Sequence, residues 1–403
     1  MRADLLDTFV VTAPGLSPLA AAELRAMGLT LGRVEEAGVS LRTDVAGLLR
    51  ANLWLRTASR VTVRLGSFRA EKFHELERRA RAIEWARVVG NAATVRLRVT
   101  CRKSRLIHSG AVAQRVGDAI RRATGARVVS GAAGADEEEA PPAAGGGAAG
   151  DSPQLFVVRI EHDRCTISAD SSGELLHRRG YRQAVGKAPL RETLAAGLLL
   201  AAGYDGSTPL VDPLCGSGTI AIEGALIARR MAPGLARTFS VEQWPGFDVT
   251  RARSVRDEAR AAMRAQSPVA IAGVDRDAGA IAAAEANAAR AGVAADIAFA
   301  RQSLSATRAP AGGPGLIATN PPYGKRVGDS DALRALYAQL GATARAHFPG
   351  WTIAMVGADR RLEGQLRLTL DERARTRNGG LPVRLLVANV PGADAGARSD
   401  GAA

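Results

Sequence analysis

Residues 210–223 read L-V-D-P-L-C-G-S-G-T-I-A-I-E, and residues 317–324 read I-A-T-N-P-P-Y-G. Each opens on a short apolar run of the kind that forms a buried strand. The first then passes through a glycine-rich turn into an apolar helical pattern; the second stops on Asn320-Pro321-Pro322-Tyr323. A strand that must turn into a helix within a few residues, and let a ligand approach its backbone, favours residues without a Cβ. Gly216 and Gly218 supply two. Asp212, at the strand end, can fix the loop or meet a cationic ligand, and Pro213, Cys215 and Ser217 complete the candidate cofactor loop. A lone G-x-G is weak evidence, so what is missing matters. No Gly-Lys-Ser/Thr follows, which excludes a phosphate-binding P-loop.

The second strand of such a unit often ends in an acid that takes ribose hydroxyls, and V-A-I-A-G-V-D over 269–275 fits, with Asp275 the candidate and Arg276 beside it. Asp275 lies 57 residues beyond Gly218, so the reading requires an insertion, for which 232–265 is the place. Asp277 reads as an ordinary helix cap for 278–291. In N-P-P-Y, two prolines forbid helix and remove two N–H donors, leaving the carbonyls of Asn320 and Pro321 to accept bonds from elsewhere. The Asn320 side chain adds another acceptor, and Tyr323 a flat face on which a base can stack. Together these suit an exocyclic amine of a nucleobase held beside a nucleotide-like cofactor. Alone, N-P-P-Y reads as a proline-stiffened turn with a core tyrosine; the glycine loop about a hundred residues upstream favours the site.

With these residues in view, the chain resembles the THUMP-containing, class I S-adenosylmethionine-dependent RNA methyltransferases, most closely the RlmL type, which methylates guanine N2 in 23S ribosomal RNA of the large subunit. The matching stretches are A-P-G-L at 13–16, L-H-R-R-G-Y-R at 176–182, A-P-L-R-E-T-L at 188–194, 212–218, M-A-P-G-L at 231–235, 320–324 and N-G-G-L at 378–381, nearly the length of the chain. The resemblance implies an α/β chain in four parts: a ferredoxin-like subdomain over 1–50, a THUMP domain over 51–172, a Rossmann-like methyltransferase domain over 173–392 and a disordered tail over 393–403. The methyltransferase sheet should be mostly parallel, seven-stranded, with a reversed edge hairpin. It implies S-adenosyl-L-methionine on the glycine loop and Asp275, with Pro189 and Thr193 near its methionine end, and Asn320, Pro321 and Tyr323 as the catalytic set. Where the family often has an acid to read the adenine amine, this chain has A-R-Q-S-L at 300–304, so Ser303 or Gln302 would substitute. Transfer RNA, or an adenine amine, remains an alternative substrate, and a non-catalytic ribosome-assembly factor an alternative of another class. Close relatives can be fused to a second methyltransferase half; this chain stops before one would begin, so one activity is expected.

The 403 residues have room for two or three domains, and 46% hydrophobic content supports a folded chain. The longest strongly apolar run, 194–202, is too short to span a bilayer, and the N-terminus lacks a signal peptide's pattern. Cys101, Cys165 and Cys215 have neither paired spacing nor neighbouring histidines, so no disulfide framework or metal site is expected, and a reducing cytoplasm is the natural home. The net charge is +14, and residues 51–129 hold 18 Lys/Arg against 5 Asp/Glu, so this one region carries +13 of it. Such concentration is the footprint of a polyanion-binding region, and the resemblance implies that the polyanion is ribosomal RNA. Part of it is a solvated helix face, since Arg78, Arg79 and Arg81 stand among glutamates.

Periodicity predicts strands at 9–12, 39–42, 60–65, 94–100, 155–161 and 164–170, and helices at 18–27, 48–60, 71–86 and 109–124. From 210 onward strands and helices alternate, as parallel strands with crossover helices require: strands at 210–212, 271–275, 297–300, 315–319 and 351–357, helices at 220–228, 278–291 and 331–347. A strand pair at 365–370 and 383–390 suits the edge hairpin. Residues 131–153, rich in Gly, Ala and Pro around Asp136-Glu137-Glu138-Glu139, read as a disordered insertion.

Overall fold

A computed structural model describes residues 5–90, 93–129, 153–182, 190–323 and 330–392. Residues 131–152 of the low-complexity stretch, the tail beyond 392, Pro189 and Gly324 lie outside the described residues. The chain forms two compact units. The first comprises Met1–Thr12, Ala20–Leu176 and Arg237–Asp257; the second comprises Ala13–Leu19, His177–Ala236 and Glu258–Ala403.

The elements of the N-terminal half are β1 (Leu6–Thr12), α1 (Ser17–Ala26), β2 (Leu31–Glu35), β3 (Gly38–Thr43), α2 (Val45–Trp54), β4 (Ala58–Arg69), α3 (Phe73–Arg81), β5 (Thr94–Arg102), α4 (Ser109–Thr124), β6 (Arg127–Val129), β7 (Gln154–Glu161) and β8 (Arg164–Asp170). The strands make one eight-stranded sheet, ordered β2-β3-β1-β4-β8-β7-β5-β6. Residue 50, the expected boundary between subdomains, lies inside α2, and β4 pairs with β1 on one side and β8 on the other. The helix expected over 48–60 starts earlier and ends sooner. Asp44 caps it by accepting from the Gly47 N–H at 2.8 Å, and the Glu23 carboxylate takes the N–H groups of Arg56 (2.7 Å) and Thr57 (3.1 Å), which turns the backbone out of the helix. Near the start of β4, Arg60 forms a buried ion pair with Asp170, which also accepts from the N–H groups of Ser172 and Gly173. The buried carboxylate thereby finds its partners within the turn that leaves the sheet.

The expected insertion at 232–265 contributes to the first unit through residues 237–257. Ser240 and the Trp244 indole both donate to the Gln154 side-chain carbonyl, each at 2.8 Å.

The second half comprises α5 (Glu192–Ala201), β9 (Leu210–Asp212), α6 (Thr219–Ala228), α7 (Val249–Ala261), β10 (Ile271–Asp275), α8 (Ala278–Ala291), β11 (Ile297–Arg301), β12 (Leu316–Thr319), α9 (Ser330–His347), β13 (Thr352–Gly357), α10 (Arg360–Glu363), β14 (Asp371–Asn378) and β15 (Leu381–Asn389). Seven strands form the sheet of the second unit in the order β11-β10-β9-β12-β13-β15-β14, the first five parallel and β15 antiparallel to both its neighbours. Its inner strands are apolar without alternation because both faces are covered. Leu210, Ala318, Ala354 and Val356 join one core with Leu198 of α5 and Ala225 of α6. Val211, Ile317, Ile353 and Met355 join the other with Tyr337 and Leu340 of α9.

The edge strand expected at 365–370 lies instead at Asp371–Asn378. Residues 364–366 form a 3-10 turn, and Arg367 adopts the left-handed region at φ 54°, which breaks any extended run there. The true edge strand reads D-E-R-A-R-T-R-N and carries almost no apolar signal.

Candidate active site

The strand order reverses at β9, so the ends of β9, β10 and β12 border one crevice of the parallel sheet. Leu210 pairs with Leu316 and Ile271, which sets the three strands side by side in one direction. The glycine loop, Asp275 and N-P-P-Y, scattered over more than a hundred residues of sequence, therefore leave the sheet at the same edge.

Backbone bonds fix the glycine loop. Asp212 accepts from the Leu214 N–H at 3.2 Å; the Cys215 N–H reaches the Val274 carbonyl of β10 at 2.9 Å; the Gly216 N–H donates to Asp275 Oδ2 at 3.0 Å. The other Asp275 oxygen accepts from the Asp277 N–H at 2.9 Å. Each carboxylate oxygen keeps a second lone pair, enough for two hydroxyls of a diol. The two glycines differ in why they are glycine. A Cβ on Gly218 (φ 82°) would fall 2.9 Å from the Ala284 Cβ and 3.1 Å from the Phe299 ring, so this glycine lets α6 close on α8 and β11. On Gly216 (φ 52°) it would meet nothing among the described residues within 4 Å, so among them the space above that residue is open to a ligand. The residues present fit a nucleotide-like cofactor.

Beyond the strand of N-P-P-Y, the Asn320 side-chain carbonyl is buried and has no hydrogen-bond partner among the described residues. Such an orphaned acceptor costs stability unless a ligand's N–H meets it. The turn around it is pinned twice. Tyr337 of α9 donates to the Pro322 carbonyl at 3.3 Å, and the Asn378 amide donates to the Tyr323 hydroxyl at 2.8 Å. Next to Asn320, Thr319 is fully buried and its hydroxyl neighbours the Asp212 carboxyl. Burial pushes that carboxyl up to about 7, the charge of Asp275 adds to the rise, and the Leu214 N–H and Thr319 hydroxyl oppose it.

The RMKL-like methyltransferase domain family matches residues 179–386, and the RlmL ferredoxin-like domain matches residues 7–62. The chain belongs to the RMKL-like methyltransferases. It is 36% identical over 93% of its length to the ribosomal RNA large subunit methyltransferase K/L of Marinomonas, and 34% identical over 94% to slr0064 of Synechocystis, which carries the name of an RNA methyltransferase. It spans 95% of slr0064 but only about half the length of the K/L relatives. Among solved structures, the SMU.472 methyltransferase in complex with S-adenosylhomocysteine superposes with a TM-score of 0.82 at 27% identity, covering 97% of this chain and 99% of that one. The cofactor of this RMKL-like chain is S-adenosylmethionine.

The other residues expected at the site are placed as follows. Ser217 offers its carbonyl to the Asn287 amide at 2.9 Å, behind the loop. Pro213 and the Cys215 side chain are buried, and burial, with the Asp212 and Asp275 carboxyls nearby, pushes the Cys215 thiol up. Arg276 is exposed just past β10. Ser303 is exposed, 3.2 Å from the Ser305 hydroxyl, while its neighbour Gln302 donates its N–H to the Asp275 carbonyl at 2.9 Å. Thr193 is buried on α5 next to Glu192.

Sequence reasoning missed the support beneath the loop. Arg182 donates to the Thr219 hydroxyl at 2.8 Å at the start of α6 and pairs with Glu192 at 3.3 Å. Tyr181 donates to Glu223 at 3.1 Å, and Arg290 of α8 holds the Tyr181 carbonyl at 2.7 Å. Burial, with Glu223 and Glu192 alongside, keeps the Tyr181 phenol protonated well past its ordinary range, so it remains a donor. One signal was available: Asn287 is a buried polar residue in the alanine-rich helix 278–291.

Proposed function

We propose that this chain transfers the methyl group of S-adenosylmethionine to the exocyclic N2 of a guanine in 23S ribosomal RNA. The observation that carries the reading is the buried Asn320 carbonyl, without a hydrogen-bond partner among the described residues, just past β12 at the switch point of the sheet beside the glycine loop. The names of the K/L relatives support the ribosomal RNA of the large subunit as substrate.

When bound, S-adenosylmethionine supplies an electrophilic methyl group on a sulfonium, so the task of the protein is alignment. Gly216, Ser217 and Gly218 give the backbone surface for it, with Asp212 and Pro213 at the strand end. Asp275 takes the ribose hydroxyls with Arg276 beside it, and Thr193 and Ser303 stand toward the two ends of the cofactor. An aromatic amine is a poor nucleophile because its lone pair is shared with the ring. Acceptors on its hydrogens, from the Asn320 side chain and the Pro321 carbonyl, turn that lone pair toward the methyl group and stabilise the charge that develops. Tyr323 stacks the guanine once it has left its helix. We assign 51–172 to a THUMP domain that holds the RNA, and place the enzyme in the cytoplasm. Asn320→Ala should abolish methylation while S-adenosylhomocysteine binds as before; a fully active variant would refute the assignment.

A further inference from the structure

We propose that the open face of the sheet in the first unit is where the sugar-phosphate backbone of a duplex segment of the substrate RNA lies. The proposal rests on the RNA reading above and adds the surface and the form of the RNA. Strand register decides which side chains share a face. Arg69 of β4 stands opposite Arg164 of β8, Arg164 opposite Glu161 of β7, and Glu161 opposite Arg102 of β5. One pleat inward, Arg159 lies opposite Thr166 and Thr100, and one further in, Arg98 lies opposite Val157. At the edge, Arg127 of β6 stands opposite Thr94. Arg69, Arg98, Arg102, Arg127, Arg159 and Arg164 are thus exposed on a single face.

The alternate residues explain why this face is open. Leu97, Val158, Ile160 and Ile167 point the other way and are buried, with α4 seated on Leu97 and Val128 through Gly117. The basic residues of α3, by contrast, are interleaved with acids, as in the Arg81–Glu77 pair. On the four strands β5 to β8 the acids of this face by register are Glu161, paired with Arg159 at 2.7 Å, and the buried Asp170, paired with Arg60; beside them Glu71 pairs with Arg69 at 2.6 Å. The result is a set of arginines spread in two dimensions over a lattice of side-chain positions about 5 Å apart between strands and about 7 Å apart along them. Phe68 and Phe156 fall on the opposite face, opposite Cys165 and Ala169. With no aromatic plate from β5 to β8, the face suits phosphates and not splayed bases. A two-dimensional grid, unlike a groove, matches the backbone of a duplex.

The test uses the full chain and two triple variants, Arg98→Gln/Arg159→Gln/Arg164→Gln and the corresponding charge reversal to Glu, beside an α3 control, Arg78→Gln/Arg79→Gln. Affinity for a large-subunit RNA fragment is measured by fluorescence anisotropy across a salt series, and for S-adenosylhomocysteine by calorimetry. The sheet-face variants should bind RNA about tenfold or more weakly, with the salt slope reduced by about one for each phosphate no longer neutralised. Cofactor affinity should be unchanged, and the α3 control should stay near wild type. An RNA duplex lacking the target should compete for the wild type. Wild-type RNA affinity and slope in both triple variants, a larger loss in the α3 control, or competition by single strands alone would overturn the proposal. A wild-type protein that binds no RNA would instead remove the RNA reading itself.

Discussion

The Asn378 side-chain amide donates to the Tyr323 hydroxyl at 2.8 Å, tying the last residue of β14 to the last residue of N-P-P-Y. Asn378 is buried, and Tyr323 packs partly buried against the core of the second unit, so the bond fixes the plane of the ring. If Tyr323 stacks the target base, Asn378 acts through it. Asn378→Ala and Tyr323→Phe should each raise KM for RNA by roughly threefold to tenfold, the range of one lost hydrogen bond. The double variant should be no worse than either single, because both remove the same bond. Steady-state kinetics with calorimetry of S-adenosylhomocysteine would check this; additive losses, or a loss of cofactor affinity, would contradict it.

The two glycines of the cofactor loop should respond oppositely to the same substitution. Gly218→Ala meets Ala284 and Phe299 at a φ of 82°, so it should lower the melting temperature markedly. Gly216→Ala has room but still a left-handed φ of 52°, so its melting temperature should fall less than that of Gly218→Ala while affinity for S-adenosylmethionine drops by about tenfold or more, the methyl now standing where the ligand approaches. Thermal melts and calorimetry on the two variants separate the effects.

Asp212 gives the cofactor-free protein a specific pH response. Its carboxyl titrates near 7 in the folded chain and near about 3.9 when unfolded, so between these values the folded state holds a proton that the unfolded state has released. Raising the pH from about 4 to about 7 therefore weakens the folded state through this group. Asp212→Asn should gain melting temperature relative to wild type across that window and no further above it. A difference between the two proteins that is flat from pH 4 to 7 would show that the carboxyl is not held up by burial.

The parts of the fold that were legible in sequence are those whose burial is uniform or whose ends are capped locally. The strands at 210–212 and 271–275 and the helix at 278–291 have the bounds that their apolar runs and the Asp277 cap imply. Strand β14 was not legible, because an edge strand needs no apolar face, and D-E-R-A-R-T-R-N has the look of a loop. Strand β2 is short and largely exposed and β6 has only three residues, so neither left a periodic trace. At the site, the loop, Asp275 and Asn320 could be read because each sits at a strand end with a residue type its task demands. The pins on them could not. Asn287 to Ser217, Arg182 to Thr219 and Asn378 to Tyr323 join residues dozens of positions apart, and only the tertiary packing of the second unit brings them together.

The most direct test of the central claim incubates purified protein and labelled S-adenosylmethionine with deproteinised large-subunit ribosomal RNA beside transfer RNA, and identifies the labelled nucleoside by mass. The account predicts N2-methylguanosine confined to the large-subunit RNA. Label in transfer RNA, methylation of an adenine amine, or no label despite measurable cofactor binding would contradict it.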